Sequence, residues 1–172
     1  MLTLMNPGSK TAQRKFGKIR VLIADDHVTV LEGLSAIIGR QSDMKIVAQA
    51  SDGREAVDLW NKNLPDIALL DLRMPTLDGT GAIIEIRRSF PDARIIALTT
   101  YDTDNEISQA IAAGAKGYLL KDAPIETLLQ WIRNVNKGET CIPAGIVSKL
   151  AASMSREVLE RILHFSGGEI GA

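Results

Sequence analysis

The most constraining feature of the sequence is an apolar run that ends abruptly in a carboxylate. Four consecutive apolar residues follow Pro65 and Asp66, and Asp71 comes directly after them. A strand without a polar face is typical of the centre of a parallel sheet, where helices cover both faces. Pro75 and Gly79 then supply turn chemistry. The pattern predicts that Asp71 stands at the carboxyl end of a central strand, on the edge where open α/β sheets bind ligands.

The same pattern recurs along most of the chain. Short apolar runs alternate with segments whose apolar residues recur at helical spacing, and glycines or prolines stand between them. Further strands are predicted at residues 19–24, 44–50, 94–99 and 117–120. The last helix of the series is expected to bury Ile125, Leu128, Leu129, Ile132 and Val135. Five strands alternating with five helices predict an α/β fold, a flavodoxin-like (βα)5 doubly wound parallel sheet of strand order 2-1-3-4-5, with extra C-terminal helices.

Composition excludes several classes of function. The chain has 172 residues, 45% of them hydrophobic, and a net charge of -1. This near neutrality argues against broad electrostatic binding to nucleic acid or to anionic membranes. Cys141 is the one cysteine and permits no internal disulfide. No apolar run approaches the roughly 20 residues that span a bilayer, so we expect a cytoplasmic protein.

The chain is predicted to have three parts. Residues 1–17 lack an apolar period and are expected to form a disordered, mildly basic arm. Residues 18–140 contain the α/β domain. Residues 141–172 are expected to hold a linker helix, with Ile146, Val147 and Leu150 on one face, followed by a truncated or vestigial segment whose last helix is capped by Ser155.

Carboxylates follow two strands that the predicted topology places side by side. Asp25 and Asp26 come after the first strand, and Asp71 ends the third. Like charges at close range repel each other and recruit either protons or a cation. Mg²⁺ prefers carboxylate and other oxygen ligands, whereas the sequence has no Cys/His cluster that would favour zinc. We therefore expect a magnesium site.

Two further polar residues are predicted at the same edge. Thr99 ends the fourth strand and Lys121 follows the fifth. Carboxylate, dication, hydroxyl and ammonium together can hold a phosphoryl group while an aspartate oxygen attacks it. Each residue alone has a simpler interpretation, since a single Asp is usually a turn former and a single Lys a solvated charge. His27 is interpreted as an N-terminal helix residue without a chemical role.

The joint pattern resembles the receiver domain of bacterial two-component response regulators over about residues 18–140. The residues that carry the resemblance are Asp25-Asp26, the Asp71-Leu72-Arg73-Met74-Pro75 run with Asp78-Gly79, Leu98-Thr99-Thr100, and Gly117-Tyr118-Leu119-Leu120-Lys121-Asp122. The stretches 121–124 and 138–140 resemble the NarL/FixJ subfamily in particular. Regulators of that subfamily usually continue into a helix-turn-helix domain, and these 172 residues are not expected to include a complete one.

The resemblance implies that Asp71 accepts a phosphoryl group from a sensor histidine kinase. It also implies that Mg²⁺ is held by Asp26, by Asp71 and by the backbone carbonyl of Arg73, with Asp25 acting largely through water. Such a protein is a phosphoacceptor in signalling rather than an enzyme, although it takes part in its own phosphotransfer and dephosphorylation.

The resemblance also assigns the residues that respond to phosphorylation. Thr99 and Lys121 would contact the phosphoryl oxygens, and Tyr118 would be an aromatic switch that turns inward when Thr99 moves. The subfamily further implies a homodimer promoted by phosphorylation. The apolar face of the linker helix is expected to be free for that contact.

Three other classes of function fit the residues less well. A flavodoxin-like nucleotide binder would need a loop rich in Gly, Ser or Thr after the first strand, where this chain has Asp25-Asp26. A phosphatase with an aspartate nucleophile of the dehalogenase type would need a second Asp where Arg73 stands. A structural interaction module would not explain Thr99 and Lys121 beside the carboxylates.

Specific DNA binding by this chain alone is not expected, because beyond the linker there is room for one helix, with few basic residues.

Overall fold

A computed structural model describes residues 17–100, 103–153 and residue 156. Its strands are β1 (Ile19–Ala24), β2 (Met44–Ala50), β3 (Ile67–Asp71), β4 (Ile95–Thr99) and β5 (Gly117–Leu120). Its helices are α1 (Val28–Gly39), α2 (Gly53–Asn63), α3 (Gly79–Ser89), α4 (Asp104–Ala113), α5 (Ile125–Asn136) and α6 (Ala144–Ser153). The predicted arm, apart from Gly17, and the predicted last helix, apart from Arg156, lie outside the described residues.

The described strands form one parallel sheet in the order β2-β1-β3-β4-β5. This confirms the predicted flavodoxin-like, doubly wound α/β fold. The strand β3 is the middle strand, and every residue in it is buried. A short continuous apolar run therefore correctly indicated a strand that is covered on both faces.

The two faces of the sheet carry separate apolar cores because successive strand residues point to opposite sides. In β1, Val21 and Ile23 belong to the core beneath α1 and α5, whereas Leu22 and Ala24 belong to the core beneath α2, α3 and α4. The side chains of β3 alternate in the same way. Because the strands are parallel, their polar carboxyl ends lie together at one edge of the sheet.

Two helices begin at an aspartate that caps the exposed backbone N–H groups. Asp52 accepts a hydrogen bond from the backbone of Glu55 at 2.8 Å, and Asp78 accepts one from Gly81 at 2.7 Å. Such caps stabilise a helix start by about 1 kcal/mol. The Asp78 cap begins α3 directly after the loop that follows Asp71, so it helps to position that loop.

The structure corrects the predicted inner face of α5. Leu128, Leu129, Ile132 and Val135 are buried, but Ile125 is 48% exposed. Ile125 is the first residue of the helix and follows the N-cap Pro124. At that position the helix lies at the rim of the sheet, and no neighbouring element covers the side chain fully.

The prediction of a free apolar face on the linker helix was wrong. Ile146 and Leu150 are 6% and 4% exposed and belong to the same core cluster as Ile107 and Ile111 of α4. The chain first returns to the edge of the sheet, where the backbone N–H of Tyr118 donates to the carbonyl of Cys141 at 3.1 Å. This return places α6 beside α4, so its apolar face is covered within the chain.

Among the described residues, none of the helices has both the length and the apolar character that crossing a membrane requires.

Candidate functional site

Asp71 is held at the centre of the carboxyl edge of the sheet. It is the last residue of β3, pairs in register with Leu98 of β4, and is 4% exposed. The helix α3 begins very close to it, because the N–H of Gly79 donates to the carbonyl of Leu72 at 3.0 Å. A Cβ atom on Gly79 would lie 2.1 Å from the backbone oxygen of Asp71. The glycine of the Asp78-Gly79 pair is therefore required by close approach to the backbone.

Lys121 joins two buried carboxylates from different strands. Its Nζ lies 2.5 Å from Asp25 Oδ2 and 3.2 Å from Asp71 Oδ2. Asp25 is 1% exposed and follows β1, which neighbours β3. Apart from this ion pair, Asp25 Oδ2 has no hydrogen-bond partner. The predicted convergence of these residues is thus present in the fold, and the ammonium lies where it offsets the two negative charges.

Burial and charge shift the pKa values in this group. Burial raises the pKa of Asp71 above its usual value, although the backbone N–H of Arg73 and the Lys121 ammonium oppose the shift. Burial lowers the pKa of Lys121, but Asp25 and Asp71 outweigh that effect and leave it raised. Lys121 therefore carries its positive charge throughout the physiological pH range, and Asp71 resists ionisation more than an exposed aspartate.

Asp26 and His27 complete the acidic cluster on its exposed side. Asp25, Asp26, His27 and Asp71 each offer one ligand atom, and these four atoms lie within 4.8 Å of one another. Three of these residues are carboxylates, and the Lys121 ammonium that contacts Asp25 and Asp71 offers one positive charge against them, so negative charge is left for an added cation to neutralise. The residues present therefore fit a hard dication such as Mg²⁺.

His27 is a member of the site that the sequence interpretation missed. Its Nδ1 lies 3.1 Å from Asp25 Oδ1 and 3.0 Å from Asp26 Oδ1. Its backbone N–H also donates to Asp25 Oδ1 at 2.9 Å. The one signal in the sequence was its place directly after the acidic pair, which is equally consistent with a helix start.

Arg73 extends the site toward α4. Its backbone N–H donates to Asp71 Oδ1 at 3.2 Å, and its side-chain Nε lies 2.8 Å from Glu106 Oε1. Glu106 also accepts a hydrogen bond from Thr103 Oγ1 at 3.0 Å. The Arg73 hydrogen bond lowers the pKa of Glu106 below its usual value. Nothing in the sequence predicted this pair, because its members are 33 residues apart.

Thr99 and Tyr118 lie on the two outer strands of the site. Thr99 is the last residue of β4 and is 1% exposed, and its carbonyl accepts a hydrogen bond from the backbone N–H of Lys121 at 2.8 Å. The side chain of Tyr118 is fully buried and belongs to the core beneath α2, α3 and α4 rather than to the acidic cluster. Thr99 therefore belongs to the polar edge of the sheet, whereas the ring of Tyr118 lies in the core beside it.

The sequence of this chain is similar to those of known regulatory proteins. The sequence model of the response regulator receiver domain matches residues 21–133. The chain is 41% identical over 133 residues to the oxygen regulatory protein NreC of Staphylococcus haemolyticus (strain JCSC1435), a match that covers 77% of this chain and 61% of that protein. The chain thus spans about three fifths of the length of the curated relatives that it matches first.

Solved structures of response regulators are similar to this chain in both fold and sequence. A two-component response regulator of the LuxR family from Aurantimonas sp. SI85-9A1 superposes with a TM-score of 0.73 at 32% identity, over 79% of this chain and 97% of that one. The receiver domain of the putative response regulator NarL from Mycobacterium tuberculosis gives a TM-score of 0.68 at 33% identity, over 72% and 100% of the two chains. Because the receiver sequence model covers more than half of it, this chain belongs to the response regulator receiver domain family.

Proposed function

We propose that Asp71 accepts a phosphoryl group from a sensor histidine kinase and thereby switches the contacts that the chain makes with other proteins. The observation that carries the proposal is the placement of Lys121, whose Nζ lies within 3.2 Å of Asp71 and within 2.5 Å of Asp25. An ammonium fixed between the acceptor and a second buried carboxylate can neutralise the charge of an incoming phosphoryl group.

In the proposed step an Asp71 carboxylate oxygen attacks phosphorus, and the bond from phosphorus to the kinase histidine nitrogen breaks. The products are an acyl phosphate on Asp71 and a free histidine on the kinase. Asp26, Asp71 and the backbone carbonyl of Arg73 would hold Mg²⁺, with Asp25 acting largely through water. A bound dication would supply positive charge at the phosphoryl oxygens. Lys121 and Thr99 would contact those oxygens from β5 and β4.

Mass spectrometry after incubation with acetyl phosphate and Mg²⁺ tests this assignment. The wild-type chain is expected to gain the mass of one phosphoryl group, and Asp71→Asn is expected to gain none. Asp58→Asn is the matched control, because Asp58 is an exposed carboxylate on α2, outside the acidic cluster. Labelling of Asp71→Asn at the wild-type rate would refute the assignment.

The metal site has its own test. Asp26 is exposed, so removing its charge is not expected to disturb the core. Titration calorimetry is expected to give a much weaker Mg²⁺ affinity for Asp26→Ala than for wild type, because a hard cation needs anionic oxygen to replace the water that it loses. Equal affinities would remove Asp26 from the ligand set.

The alternative functions lack support at this site. Nucleotide phosphates would meet the carboxylates of Asp25 and Asp26 at the loop where such binders present backbone N–H groups. A phosphatase of the dehalogenase type would need a second aspartate at position 73, where the arginine side chain instead binds Glu106.

A slow loss of the phosphoryl group to water, catalysed by the same residues, is part of the proposal. It predicts that the half-life of the phosphorylated chain lengthens when Mg²⁺ is removed.

The proposed output runs through Thr99 and Tyr118. Thr99 would move toward the phosphoryl group, and Tyr118 would change its packing in response. The ring is already buried in this structure. The expected change is therefore a shift within the core, which fluorine NMR of a fluorotyrosine at position 118 would detect on phosphorylation.

Homodimerisation on phosphorylation is also proposed, although the apolar face of α6 is not free for it in this structure. Ile146 and Leu150 are covered by α4, so an apolar face on α6 becomes available only if α6 leaves α4. Light scattering with and without acetyl phosphate tests this, and an unchanged monomer mass would count against it.

Specific DNA binding by this chain alone is not proposed, and a gel shift with excess competitor DNA would test that expectation. A cytoplasmic location remains a prediction from the sequence.

A further inference from the structure

The helix α4 begins with a sequence that caps helices, but its side chains are engaged elsewhere. Thr103 is the N-cap residue and Glu106 stands three residues after it, a spacing at which each side chain can bond to the backbone N–H of the other residue. Among the described residues Thr103 makes no side-chain capping bond, and its hydroxyl instead donates to Glu106 Oε2 at 3.0 Å. Glu106 Oε1 lies 2.8 Å from Arg73 Nε. The glutamate that would complete the cap is thus bound to Arg73.

The start of α2 shows the same kind of sequence in its capped arrangement. Asp52 accepts a hydrogen bond from the backbone N–H of Glu55 at 2.8 Å. The Glu55 carboxylate reaches back and accepts one from the backbone N–H of Ser51 at 2.9 Å. Glu106 therefore has two alternative partners, which are the start of its own helix, as in α2, and the Arg73 guanidinium.

Arg73 connects the start of α4 to Asp71. Its backbone N–H donates to Asp71 Oδ1 at 3.2 Å, so its side chain leaves the main chain beside the proposed acceptor. The side chains of Arg73 and Glu106 are 56% and 25% exposed, and ion pairs with this much exposure are weak enough to exchange partners. A phosphoryl group would raise the negative charge at Asp71 from one toward two, and guanidinium binds phosphoryl oxygens well. Such a group would therefore compete with Glu106 for Arg73.

We infer that the Arg73–Glu106 ion pair is a latch, and that phosphorylation of Asp71 opens it by drawing the guanidinium away from Glu106. The released Glu106 carboxylate then accepts a hydrogen bond from the backbone at the start of α4, and Thr103 Oγ1 accepts one from the N–H of Glu106. The first turn of α4 changes from an uncapped to a capped state. This role of Arg73 rests on the proposed function, which supplies the phosphoryl group.

The latch lies between the proposed acceptor and the contact of α4 with α6. Ile107, the residue after Glu106, is fully buried and belongs to the same core cluster as Ile146 and Leu150 of α6. A rearranged first turn therefore acts on the residue that begins this packing.

Variants on both sides of the latch test it without phosphorylation. Arg73→Ala removes the guanidinium, and Glu106→Gln removes the charge but keeps an amide oxygen that can still cap the helix. Both are expected to slow the exchange of the Thr103 and Glu106 amide protons with water at least about 2-fold by NMR, because the cap can then form. Arg54→Ala is the matched control, since it breaks an exposed Arg–Glu pair between α2 and α3. Exchange that stays at the wild-type rate in both latch variants would overturn the inference.

Phosphorylation of the wild-type chain with acetyl phosphate and Mg²⁺ is expected to slow the same two amide protons by a similar factor. Arg54→Ala is expected to respond as wild type does, and Asp71→Asn, treated in the same way, is expected to show no change. Mass spectrometry of these samples measures the phosphorylated fraction. Unchanged exchange in a wild-type chain that carries the phosphoryl group would overturn the inference and leave the proposed function intact. A wild-type chain that gains no phosphoryl group would overturn both.

Discussion

Burial opposes the ionisation of Asp71, the proposed acceptor. It is 4% exposed, and burial raises its pKa although Lys121 lies 3.2 Å away. The buried carboxylate is thus less stable as an anion than it would be in water. A bound cation relieves that condition, and this links the burial of the residue to its proposed chemistry.

This burial predicts how stability depends on pH. An acid whose pKa is higher in the folded state stabilises the fold while it is protonated. That stability is lost as the pH rises from the ordinary pKa of 3.8 through the higher pKa that Asp71 has in the folded chain. The amide that replaces the carboxyl group in Asp71→Asn cannot ionise. The free energy of unfolding of Asp71→Asn, relative to wild type, is therefore expected to increase between pH 4 and pH 7.

Urea denaturation in the presence of a chelator measures this difference, and Asp58→Asn provides the control for the loss of one negative charge. A relative stability of Asp71→Asn that stays constant or decreases over that pH range would contradict the prediction.

Gly79 illustrates a second constraint at the scale of one residue. A Cβ atom there would lie 2.1 Å from the backbone oxygen of Asp71 and 2.7 Å from Leu72 Cα. Gly79→Ala is expected to lower the free energy of unfolding by about 1–3 kcal/mol or more, because backbone must shift to admit the methyl group. It is also expected to slow phosphorylation, since the backbone that moves carries Asp71, the proposed acceptor.

Gly33 is the matched control, because it lies inside α1 with nothing within 4 Å of an added Cβ atom. Gly33→Ala is expected to raise the free energy of unfolding by about 0.5–1 kcal/mol. Similar effects of the two substitutions in urea denaturation would mean that close packing at Gly79 is not what requires its glycine.

At the scale of elements, the sequence pattern predicted the helix α6 but wrongly predicted that its apolar face is exposed. The spacing of Ile146, Val147 and Leu150 correctly indicated an amphipathic helix, but a sequence pattern does not say which surface covers an apolar face. The answer depends on the backbone bridge between β5 and Cys141, which returns the chain to the sheet beside α4.

This packing predicts that α6 is protected from amide hydrogen exchange by its contact with α4. Leu150→Ala removes a side chain that is 4% exposed and is expected to speed exchange throughout α6 by at least about 10-fold, because a buried Leu→Ala change costs about 2–5 kcal/mol. Ser148→Ala changes an exposed residue on the same helix and is expected to have little effect. Equal exchange rates in the two variants would show that the contact does not hold α6.

At the scale of the molecule, the site is connected to a distant surface through Lys121. Its side chain reaches Asp71, and its backbone N–H donates to Thr99. Earlier in β5 lies Tyr118, whose backbone N–H binds Cys141 ahead of α6. A movement of Lys121 can therefore reach α6 through Cys141, and it can reach the surface formed by α4, β5 and α5 because both helices contact β5.

Lys121→Ala is expected to accept a phosphoryl group at a reduced level but to lose the response at that surface, because its ammonium ties β5 to the acceptor. The measurement is the change in backbone NMR shifts of α4, β5 and α5 on addition of acetyl phosphate and Mg²⁺. Lys137→Ala, an exposed lysine beyond α5, is the control. A full wild-type response in phosphorylated Lys121→Ala would show that the signal takes another route.

The sequence by itself determined the class of fold and the residues of the acidic edge. Apolar runs of strand length alternating with helical periods leave few topologies, and each candidate residue stands where a strand ends, so its neighbours follow from strand order. Asp25, Asp71 and Lys121 were predictable together for that reason. Only the tertiary structure decided the positions of His27, Glu106 and α6. An exposed imidazole, a surface ion pair and a covered helix face each depend on which side chains meet across elements, and that information is absent from local periodicity.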